Sequence, residues 1–271
     1  MTKHGILTEE EFKTYKPPAR AVACLNEFMT AKGCHESEIK VLDWGCGRGR
    51  FVLWLREKGF NAFGVDIDAE PVENGLTLFK AKGYKDTPLT LIPTSGRTVY
   101  ADEFFDFLMS DNVLEHVSNI QVAMDEIGRV TAANGSGYHI FPAQWQIIEG
   151  HLFMPFVHWI PQGLFRKAVI SLFVKLGIEP KWKELEGRSN NEKVDTYYKY
   201  SKDNIFYRRF SFVQQQFEKQ GFKVTFQTIN NPAVSRNRLL GPFARNRITK
   251  PIFNWMLLTF KQVEMVIKKG S

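Results

Sequence analysis

Hydrophobic and polar positions alternate with two different periods along the first half of the chain. Short apolar runs such as VLDW and FFDFLMS have the length and composition of buried strands. Between them, apolar residues recur every three or four positions, which is the period of an amphipathic helix. The pattern predicts strands at 39–44, 61–66, 104–110 and 137–141, and helices at 20–32, 49–58, 69–81 and 117–130.

Strands that alternate with helices predict βαβ units and a parallel sheet. Farther along, the pattern predicts a helix at 204–220, a strand in GFKVTFQTI and a final strand in VEMVIKK. The predicted fold class is therefore α/β, a Rossmann-like, doubly wound and mainly parallel sheet with helical cap insertions.

Two long segments interrupt this alternation, and they set the predicted domain organisation. One is aromatic and rich in proline, and the other lies between two strands that a short connection could join. The predicted parts are an N-terminal helical segment (1–37), a cofactor-binding Rossmann-like core (38–142), a cap insertion (143–203), a core helix and strand (204–229), a basic insertion (230–259) and a terminal core strand (260–271).

Composition narrows the class of protein. The chain has 271 residues, of which 44% are hydrophobic and 14% aromatic, as expected for a folded protein. The polar, acidic start is unlike a signal peptide, and charge or proline breaks every apolar run before it reaches membrane-spanning length. Cys24, Cys34 and Cys46 form no paired motif, so we expect neither a disulfide framework nor a zinc site, and a cytoplasmic location.

The stretch VLDWGCGRGR, from Val41 to Arg50, carries the strongest chemical signal. Gly45, Gly47 and Gly49 follow a strand and precede a helix, an arrangement in which a backbone turn receives a ligand. The spacing GxGxG differs from the GxGxxG of dinucleotide sites. Asp43, just before the loop, would repel a pyrophosphate but attract a cationic amino group.

The end of the next strand supplies a second carboxylate, Asp66 in GVDID. A carboxylate at that position can accept hydrogen bonds from both hydroxyls of a ribose. An amino-acid head group and a ribose within one ligand point to S-adenosylmethionine.

With these residues, the chain resembles the class I S-adenosylmethionine-dependent methyltransferases. VLDWGCGRGR resembles their first motif and GVDID their second. FFDFLMSDNVLEHV resembles the fourth-strand region of the subgroup that reads FDxVxxxxVLEHV, and EIGRVTAANGSGYHIFP resembles the helix, turn and fifth strand that follow.

The resemblance implies S-adenosyl-L-methionine as cofactor. Asp43, Gly45 and Gly47 would contact its methionine part and Asp66 its ribose, while Asp111 and Asn112 would lie beside it. The complete predicted cofactor site is Asp43, Gly45, Cys46, Gly47, Asp66, Ile67, Asp111 and Asn112. The third motif is not recognisable in LTLIPTSGRTVYADE, so the adenine contacts stay open.

Histidines after the fifth strand are the candidates for the acceptor side. His151 is the predicted catalytic residue, as a general base for an acceptor hydroxyl, and His158 is a predicted substrate contact. The alternative for both is a partly buried histidine bonded to backbone groups. His116 is interpreted as a residue that holds a helix start. His139, His151 and His158 match no metal-ligand spacing, so no metal site is expected.

The insertions provide two further indications. Residues 230–250 contain Arg236, Arg238, Arg245, Arg247 and Lys250 and no acidic residue. The four arginines are predicted to bind phosphate or carboxylate on the acceptor, or anionic lipid headgroups, with a solvated loop as the alternative. Apolar residues at helical spacing in 164–176 predict either a helix packed on the core or a lipid-facing surface.

The predicted function is that of a methyltransferase acting on an anionic or lipid-linked small molecule, such as a glycan intermediate, in the cytoplasm or at a membrane surface. An RNA or protein methyltransferase is the first alternative, although no RNA-binding module is recognisable. A nicotinamide-dependent oxidoreductase and a non-catalytic cofactor-binding scaffold are alternatives from other classes. The oligomeric state stays open.

Overall fold

The computed structural model of the protein describes residues 5–270. The ends of the predicted first and last segments, residues 1–4 and 271, lie outside the described residues. Within the described part, the chain forms a seven-stranded sheet in the order β3-β2-β1-β4-β5-β7-β6. Its strands are β1 (Lys40–Trp44), β2 (Asn61–Asp66), β3 (Leu89–Leu91), β4 (Phe105–Asp111), β5 (Thr131–Pro142), β6 (Phe222–Phe226) and β7 (Gln262–Lys269).

The sheet is mainly parallel, as predicted. β1 pairs in parallel with β2 and β4, β2 with β3, and β4 with β5. Only β7 runs antiparallel, between β5 and β6. The carboxyl ends of the parallel strands therefore meet at one edge, where ligands bind in sheets of this kind.

Helices cover both faces of the sheet and form the insertions. Those of the first half are α1 (Glu9–Lys13), α2 (Ala19–Lys32), α3 (Arg50–Glu57), α4 (Ala69–Ala81) and α5 (Ile120–Val130). Those of the second half are α6 (Leu164–Lys175), α7 (Asn190–Asp203), α8 (Phe210–Lys219), α9 (Pro232–Ser235), α10 (Gly241–Arg245) and α11 (Thr249–Phe260).

The buried apolar side chains that pack on the sheet form two separate cores. One contains the buried side chains of α2, α3 and α4, and the other those of α5, α8 and β7. Smaller clusters hold the cap together around Leu152, Ile170 and Tyr197, and the second insertion around Val234 and Leu257. Each insertion therefore has its own small core, and Leu258 of α11 also joins the core of the sheet.

Two predicted helices begin later than the periodicity indicated. α5 starts at Ile120, where the Asn119 side chain caps it, and α8 starts at Phe210. The residues before each start pack on one another: Arg208 donates hydrogen bonds to the carbonyl oxygens of Leu114, Val117 and Ser118. A tertiary contact thus takes up carbonyl groups that a longer helix would have bonded internally.

Four features outside the basic insertion were absent from the sequence prediction. These are α1, α7, the short strand β3, and the first half of β5, where the register against β4 shifts between Phe105 and Phe107. The basic insertion, for which no elements were predicted, contains α9, α10 and α11. The other predicted strands and helices are present, with ends that shift by a few residues.

Candidate active site

The glycine-rich loop between β1 and α3 has the backbone geometry that only glycine adopts easily. The φ angles of Gly45, Gly47 and Gly49 are 82°, 52° and 68°. A Cβ atom at Gly45 would lie 2.3 Å from Val113, and one at Gly49 would lie 2.6 Å from Leu89. A Cβ at Gly47 would meet nothing within 4 Å. Packing therefore excludes a side chain at Gly45 and Gly49, whereas backbone conformation is the main demand at Gly47.

Asp66 connects this loop to the end of β2. One carboxylate oxygen accepts a hydrogen bond from the backbone N–H of Gly47 at 2.7 Å, and the other accepts from that of Asp68 at 3.0 Å. The carboxylate thus fixes the loop conformation through 19 residues of sequence separation. It also lines the groove described next, so its remaining lone pairs are available to a ligand.

A groove of about 540 Å³ runs along the carboxyl ends of β1, β2 and β4. Asp66, Ile67 and Asn112 of the predicted cofactor site line it, together with Gly45. The other lining residues are Trp44, Ile92, Pro93, Thr94, Ser95, Gly96, Val113, His116, Val117, Ser118, Asn119, Val122 and Ala123. The sequence left the adenine contacts open because β3, which leads into 92–96, is too short to recognise from periodicity.

A neighbouring cavity of about 340 Å³ lies on the other side of Gly45. Asp43, Cys46 and Asp111 of the predicted site line it. The N-terminal segment adds Tyr15, Lys16 and Pro18, and α3 adds Arg50 and Phe51. Sequence reasoning missed Tyr15, Lys16 and Arg50, because no local pattern shows that a segment before α2 folds over the glycine loop.

The contacts of Arg48 and Arg50 explain that placement. Arg48 forms an ion pair with Glu11 of α1 and donates a hydrogen bond to the Gly5 carbonyl oxygen. The Arg50 guanidinium lies 5.3 Å from the centre of the Tyr15 ring. Two arginines of the glycine-rich stretch therefore hold the N-terminal segment at the mouth of the cavity.

Three carboxylates make this region strongly acidic. Burial raises the pKa of Asp43 to about 8, and the neighbouring charges of Asp111 and Asp66 add to the shift. Burial also raises the pKa of Asp111. Carboxylates that resist ionisation when brought together are stabilised by a cation. S-adenosylmethionine carries a sulfonium and an ammonium group, so these three carboxylates and the adjoining groove fit it.

A third cavity, of about 480 Å³, begins where the groove ends. Asn112 lines both, which makes the two spaces adjacent. His151, the predicted catalytic residue, lines the third cavity with Glu115, Pro142, Gln146, Gly150, Lys261 and Gln262. We refer to it as the acceptor cavity.

His151 belongs to a hydrogen-bond network at the wall of the acceptor cavity. Its Nδ1 lies 3.0 Å from Glu149, and its Nε2 lies 3.1 Å from Nε2 of His116. The Nδ1 of His116 lies 2.6 Å from the Asn204 carbonyl oxygen. The sequence interpretation of His116 as a residue that holds the helix start is therefore wrong, since Asn119 caps α5 and His116 faces His151.

Glu149 is a fully buried carboxylate that stays ionised. Burial by itself would raise its pKa, but hydrogen bonds from His151, Tyr207 and the Leu152 backbone outweigh burial and lower it. The Tyr207 hydroxyl donates to it at 2.5 Å. The same carboxylate raises the pKa of His151, although burial of the imidazole acts in the opposite direction.

His158 and His139 lie apart from this network. His158 lines a separate cavity of about 420 Å³, beneath the cap, with Trp159, Arg166 and Tyr207. Burial lowers its pKa to about 4, although the backbone of Gln144 and Gln146 acts in the opposite direction. His139 is fully buried in β5, where its Nδ1 lies 2.7 Å from the Ser110 hydroxyl.

The four arginines of the basic insertion are exposed, and none of them is among the residues that line these cavities. In the sequence, Arg245 and Arg247 shortly precede α11, and Ile248, Ile252, Trp255, Met256 and Phe260 in and just before this helix are exposed. These positions are three or four residues apart along α11, while Leu257 and Leu258 of the same helix are buried. A second exposed apolar set lies on and after α6, at Leu164, Phe165, Leu172 and Leu176.

The alternative of a core-packed helix at 164–176 is confirmed in part, and contact of this helix with lipid stays a prediction. Ile170 and Val174 pack in the core of the cap, and the four residues above face solvent. Among the described residues, no helix combines the length and the hydropathy that crossing a bilayer requires.

The sheet order, the glycine loop and the adjoining groove define a Rossmann-like nucleotide-binding protein. The family comparison then identifies residues 42–138 as a methyltransferase domain. This domain is of the class I S-adenosylmethionine-dependent type, which confirms the resemblance that the sequence motifs indicated.

Curated proteins similar to this chain are methyltransferases. The ubiquinone biosynthesis O-methyltransferase of Rickettsia akari is 29% identical over 104 residues, which are 38% of this chain and 40% of that protein. The malonyl-[acyl-carrier protein] O-methyltransferase of Erwinia billingiae is 28% identical over 41% of this chain and 45% of its own length. The sequence similarity thus spans less than half of the length of these relatives.

Solved structures extend the similarity of fold to the whole chain. Phosphoethanolamine N-methyltransferase 2 of Haemonchus contortus, in complex with S-adenosyl-L-methionine, has a TM-score of 0.52 at 13% identity over 93% of this chain and 53% of that one. A putative sarcosine dimethylglycine methyltransferase of Galdieria sulphuraria has a TM-score of 0.51 at 13% identity over 99% and 93%. The predicted fold class is confirmed, and the predicted cofactor is the one this family of domains uses.

Proposed function

We propose that the protein transfers a methyl group from S-adenosylmethionine to a hydroxyl group of a small molecule bound in the acceptor cavity. The observation that carries this proposal is that Asn112 lines both the acceptor cavity and the groove with the predicted cofactor residues. A donor in the groove and an acceptor in the cavity would meet beside this residue. Two of the similar proteins are named O-methyltransferases, which supports oxygen as the acceptor atom.

Different residues of the chain would bind different parts of the cofactor. Asp43 and Asp111 would attract its cationic groups, and Asp66 would accept hydrogen bonds from the ribose while it holds the Gly47 backbone in place. Gly45 lines both the groove and the neighbouring cavity, and Cys46 lines the cavity together with Asp43. Ile67, which is 74% exposed without a ligand, would cover the adenosine part.

When bound, S-adenosylmethionine supplies a methyl group that its sulfonium charge already activates. The reaction forms an oxygen–carbon bond and breaks the sulfur–carbon bond, whose electron pair stays on sulfur. The acceptor hydroxyl gives its proton to a general base, for which His151 is the proposed residue. The protein's part is to position the hydroxyl and to stabilise its deprotonated form, and His151 and His116 lie at the wall where this would occur.

We further propose that the acceptor is anionic or linked to a lipid, and that the protein works at an anionic membrane surface. Lys261 at the acceptor cavity directly follows α11, which carries the exposed apolar residues and Lys250, and which Arg245 and Arg247 shortly precede in the sequence. Between Asn230 and Gln262 the chain has no acidic residue. Such a helix fits the headgroup region of an anionic bilayer, from which a lipid-linked acceptor could reach the cavity.

Two other predicted roles remain proposals of the same kind. His158 would contact a part of the acceptor that extends beneath the cap, and the four arginines would bind its anionic groups or lipid headgroups. The predicted cytoplasmic location is likewise kept as a proposal, and it agrees with the three free cysteines.

A product assay tests the proposed reaction. The protein is incubated with methyl-labelled S-adenosylmethionine and with hydroxylated acceptors that are free, phosphorylated or lipid-linked, and products are identified by mass spectrometry. We expect a methyl ether and an equal amount of S-adenosylhomocysteine with at least one anionic or lipid-linked acceptor. Methylation of RNA or protein alone would contradict the acceptor class, and calorimetry that detects NAD but not S-adenosylmethionine would contradict the enzyme class.

The variant Asp66→Ala tests the cofactor site separately. Loss of its hydrogen bonds should weaken cofactor binding by about 2–4 kcal/mol. The matched control is Asp86→Ala, because Asp86 is a half-exposed carboxylate that pairs with Arg56 away from the groove. Equal cofactor affinity in the two variants would contradict the role of Asp66.

A further inference from the structure

The wall between the groove and the acceptor cavity contains three side chains with converging donor atoms. One ring nitrogen of His116, one of His151 and a carboxylate oxygen of Glu115 all lie within 4.8 Å of one another. His116 lines the groove, and Glu115 and His151 line the acceptor cavity. The cluster therefore lies between the two spaces that the proposed reaction would use.

The hydrogen bonds on the outer nitrogens fix the tautomers of both histidines. The Nδ1 of His116 faces the Asn204 carbonyl oxygen, which can only accept, so this nitrogen carries a hydrogen. The Nδ1 of His151 faces the carboxylate of Glu149, which already accepts from Tyr207 and from two backbone N–H groups. This nitrogen therefore also donates.

In the neutral tautomers, both Nε2 atoms then present lone pairs to each other at 3.1 Å. Two lone pairs at this distance repel, so the arrangement needs a positive species between or beside them. Two ligands at about 2.1 Å from one metal ion, with an angle of 90–110°, lie about 3.0–3.4 Å apart. The observed separation matches that spacing.

Glu115 provides the second, independent observation. Its side chain is 3% exposed, and neither carboxylate oxygen has a hydrogen-bond partner on another residue that the structure describes. Such a buried carboxylate is costly to keep ionised unless a cation accompanies it. No arginine or lysine pairs with it among the described ion pairs, and the two imidazoles are its nearest candidate co-ligands.

We infer that Glu115, His116 and His151 bind a divalent transition-metal ion at the junction of the groove and the acceptor cavity. Two imidazoles and one carboxylate suit ions such as Zn²⁺, Mn²⁺ or Fe²⁺ better than Mg²⁺ or Ca²⁺, which prefer all-oxygen ligands. Three protein ligands leave coordination positions open to the cavity. The sequence expectation of no metal site considered His139, His151 and His158, of which the fold brings only His151 to the cluster.

The surrounding contacts match those of metal-binding histidines. Such histidines usually donate their second ring N–H to a carboxylate or a backbone carbonyl, which fixes the ring orientation. Glu149 does this for His151, and the Asn204 carbonyl does it for His116. A role of the ion in stabilising a deprotonated acceptor hydroxyl would rest on the proposed function, whereas the binding site itself does not.

Direct metal binding tests the inference without any acceptor. The full-length protein is treated with chelator, dialysed and titrated with Co²⁺, Zn²⁺ or Mn²⁺, and binding is followed by calorimetry and by the visible absorption of bound Co²⁺. We expect one ion per chain and a Co²⁺ spectrum with nitrogen ligands. Glu115→Gln, His116→Gln and His151→Gln should each abolish or strongly weaken binding.

Two further variants separate a metal site from a general loss of structure. Glu149→Gln, which alters the hydrogen-bond partner of His151 and leaves all three proposed ligands in place, should weaken binding about 10–100-fold. His35→Gln is the matched control, because His35 lies at the surface before β1 and its substitution should leave binding unchanged. Circular dichroism and thermal unfolding report that each variant is folded.

The alternative is that the two imidazoles share a proton and bind no metal. If the wild-type protein takes up no more Co²⁺, Zn²⁺ or Mn²⁺ than the double variant Glu115→Gln/His151→Gln, the inference is overturned. Metal binding with no methyl transfer to any acceptor would uphold the site and contradict only the proposed function. Methyl transfer by wild-type protein that takes up no metal would uphold the proposed function and contradict the metal site.

Discussion

Asp43 shows how one residue can link cofactor binding to pH. It ends a central strand, is nearly fully buried, and faces a cavity that also contains Asp111. Without a ligand its pKa rises to about 8, first because of burial and then because of Asp111 and Asp66. At pH 7 the carboxyl is therefore mostly protonated, and a cationic ligand would favour its ionised form.

We expect S-adenosylmethionine affinity to rise with pH up to about 8 and then to level off. Because binding favours the ionised carboxylate, it should release close to one proton per ligand at pH 7. Below pH 8, a single such group changes affinity at most tenfold per pH unit. Calorimetry in buffers of different ionisation enthalpy measures the proton release.

Folding stability of the ligand-free protein should depend on pH in the opposite direction to ligand affinity. A carboxyl whose pKa is raised by folding stabilises the ligand-free protein at low pH, and this contribution is lost as pH rises towards 8. Asp43→Asn should remove most of the pH dependence of cofactor binding and lower affinity at pH 8. An affinity of the wild-type protein that is constant from pH 6 to 8 would contradict the assignment.

His151 is the proposed catalytic residue on the acceptor side. It lines the acceptor cavity and contacts the cofactor groove only through His116. His151→Ala should therefore lower kcat by about 100-fold or more, whether it acts as a base or as a metal ligand, and leave the cofactor Kd nearly unchanged.

Tyr207→Phe is a graded control for this prediction. It removes one of the donors to Glu149 but keeps the His151 ring, so its effect on kcat should be smaller. A loss of cofactor affinity in His151→Ala as large as the loss of kcat would show that the residue serves the cofactor site instead.

At the scale of elements, α11 carries the proposed contact with a membrane. Its exposed Ile252, Trp255, Met256 and Phe260 lie on one side, and Leu257 and Leu258 fix the other side to the protein. Aromatic side chains at such a surface suit the boundary between headgroups and acyl chains. The adjoining cations have no acidic neighbours in sequence, and this favours anionic lipid.

The double variant Arg245→Glu/Arg247→Glu should lose binding to vesicles that contain anionic phospholipid, and Trp255→Ala should weaken it. The control Lys58→Glu/Lys80→Glu changes the net charge equally at the ends of α3 and α4, and it should still bind. The electrostatic contribution to vesicle binding should decrease in high salt, because exposed charges are screened over about 10 Å at 0.1 M. Vesicle co-sedimentation measures all four proteins.

Two outcomes would contradict this proposal. If the wild-type protein does not bind anionic vesicles, α11 has no role at a membrane. If both double variants lose binding equally, only net charge matters and not the position of α11. Cofactor binding should be unaffected in every variant, because none of the changed residues lines the groove or the adjoining cavity.

At the scale of the whole molecule, the edge of the sheet brings distant segments together. The cavity that Asp43 lines is formed by residues of the N-terminal segment, β1, α3 and β4. The acceptor cavity is formed in part by residues of β5, the cap and β7. The antiparallel strand β7 is central to this arrangement. It follows α11 directly and pairs with β5, so Lys261 and Gln262 come beside the chain that leads into the cap.

The sequence by itself determined the sheet-forming core and the cofactor loop. Alternating strand and helix periods are local properties, and a GxGxG turn between a strand and a helix needs glycine for backbone reasons that act within a few residues. Asp43, Asp66 and Asp111 could be predicted because each lies at or near the end of a strand, and parallel strands end at one edge.

Only the tertiary structure decided what the acceptor side looks like. Glu115, His116 and His151 are up to 36 positions apart, and no periodicity predicts that the imidazoles face each other at 3.1 Å. Their placement depends on Arg208, which bonds the turn after β4, and on Glu149, which is buried under the cap. Local patterns encode elements, but long-range packing and buried hydrogen bonds determine which side chains meet, and those interactions leave no periodic trace in the sequence.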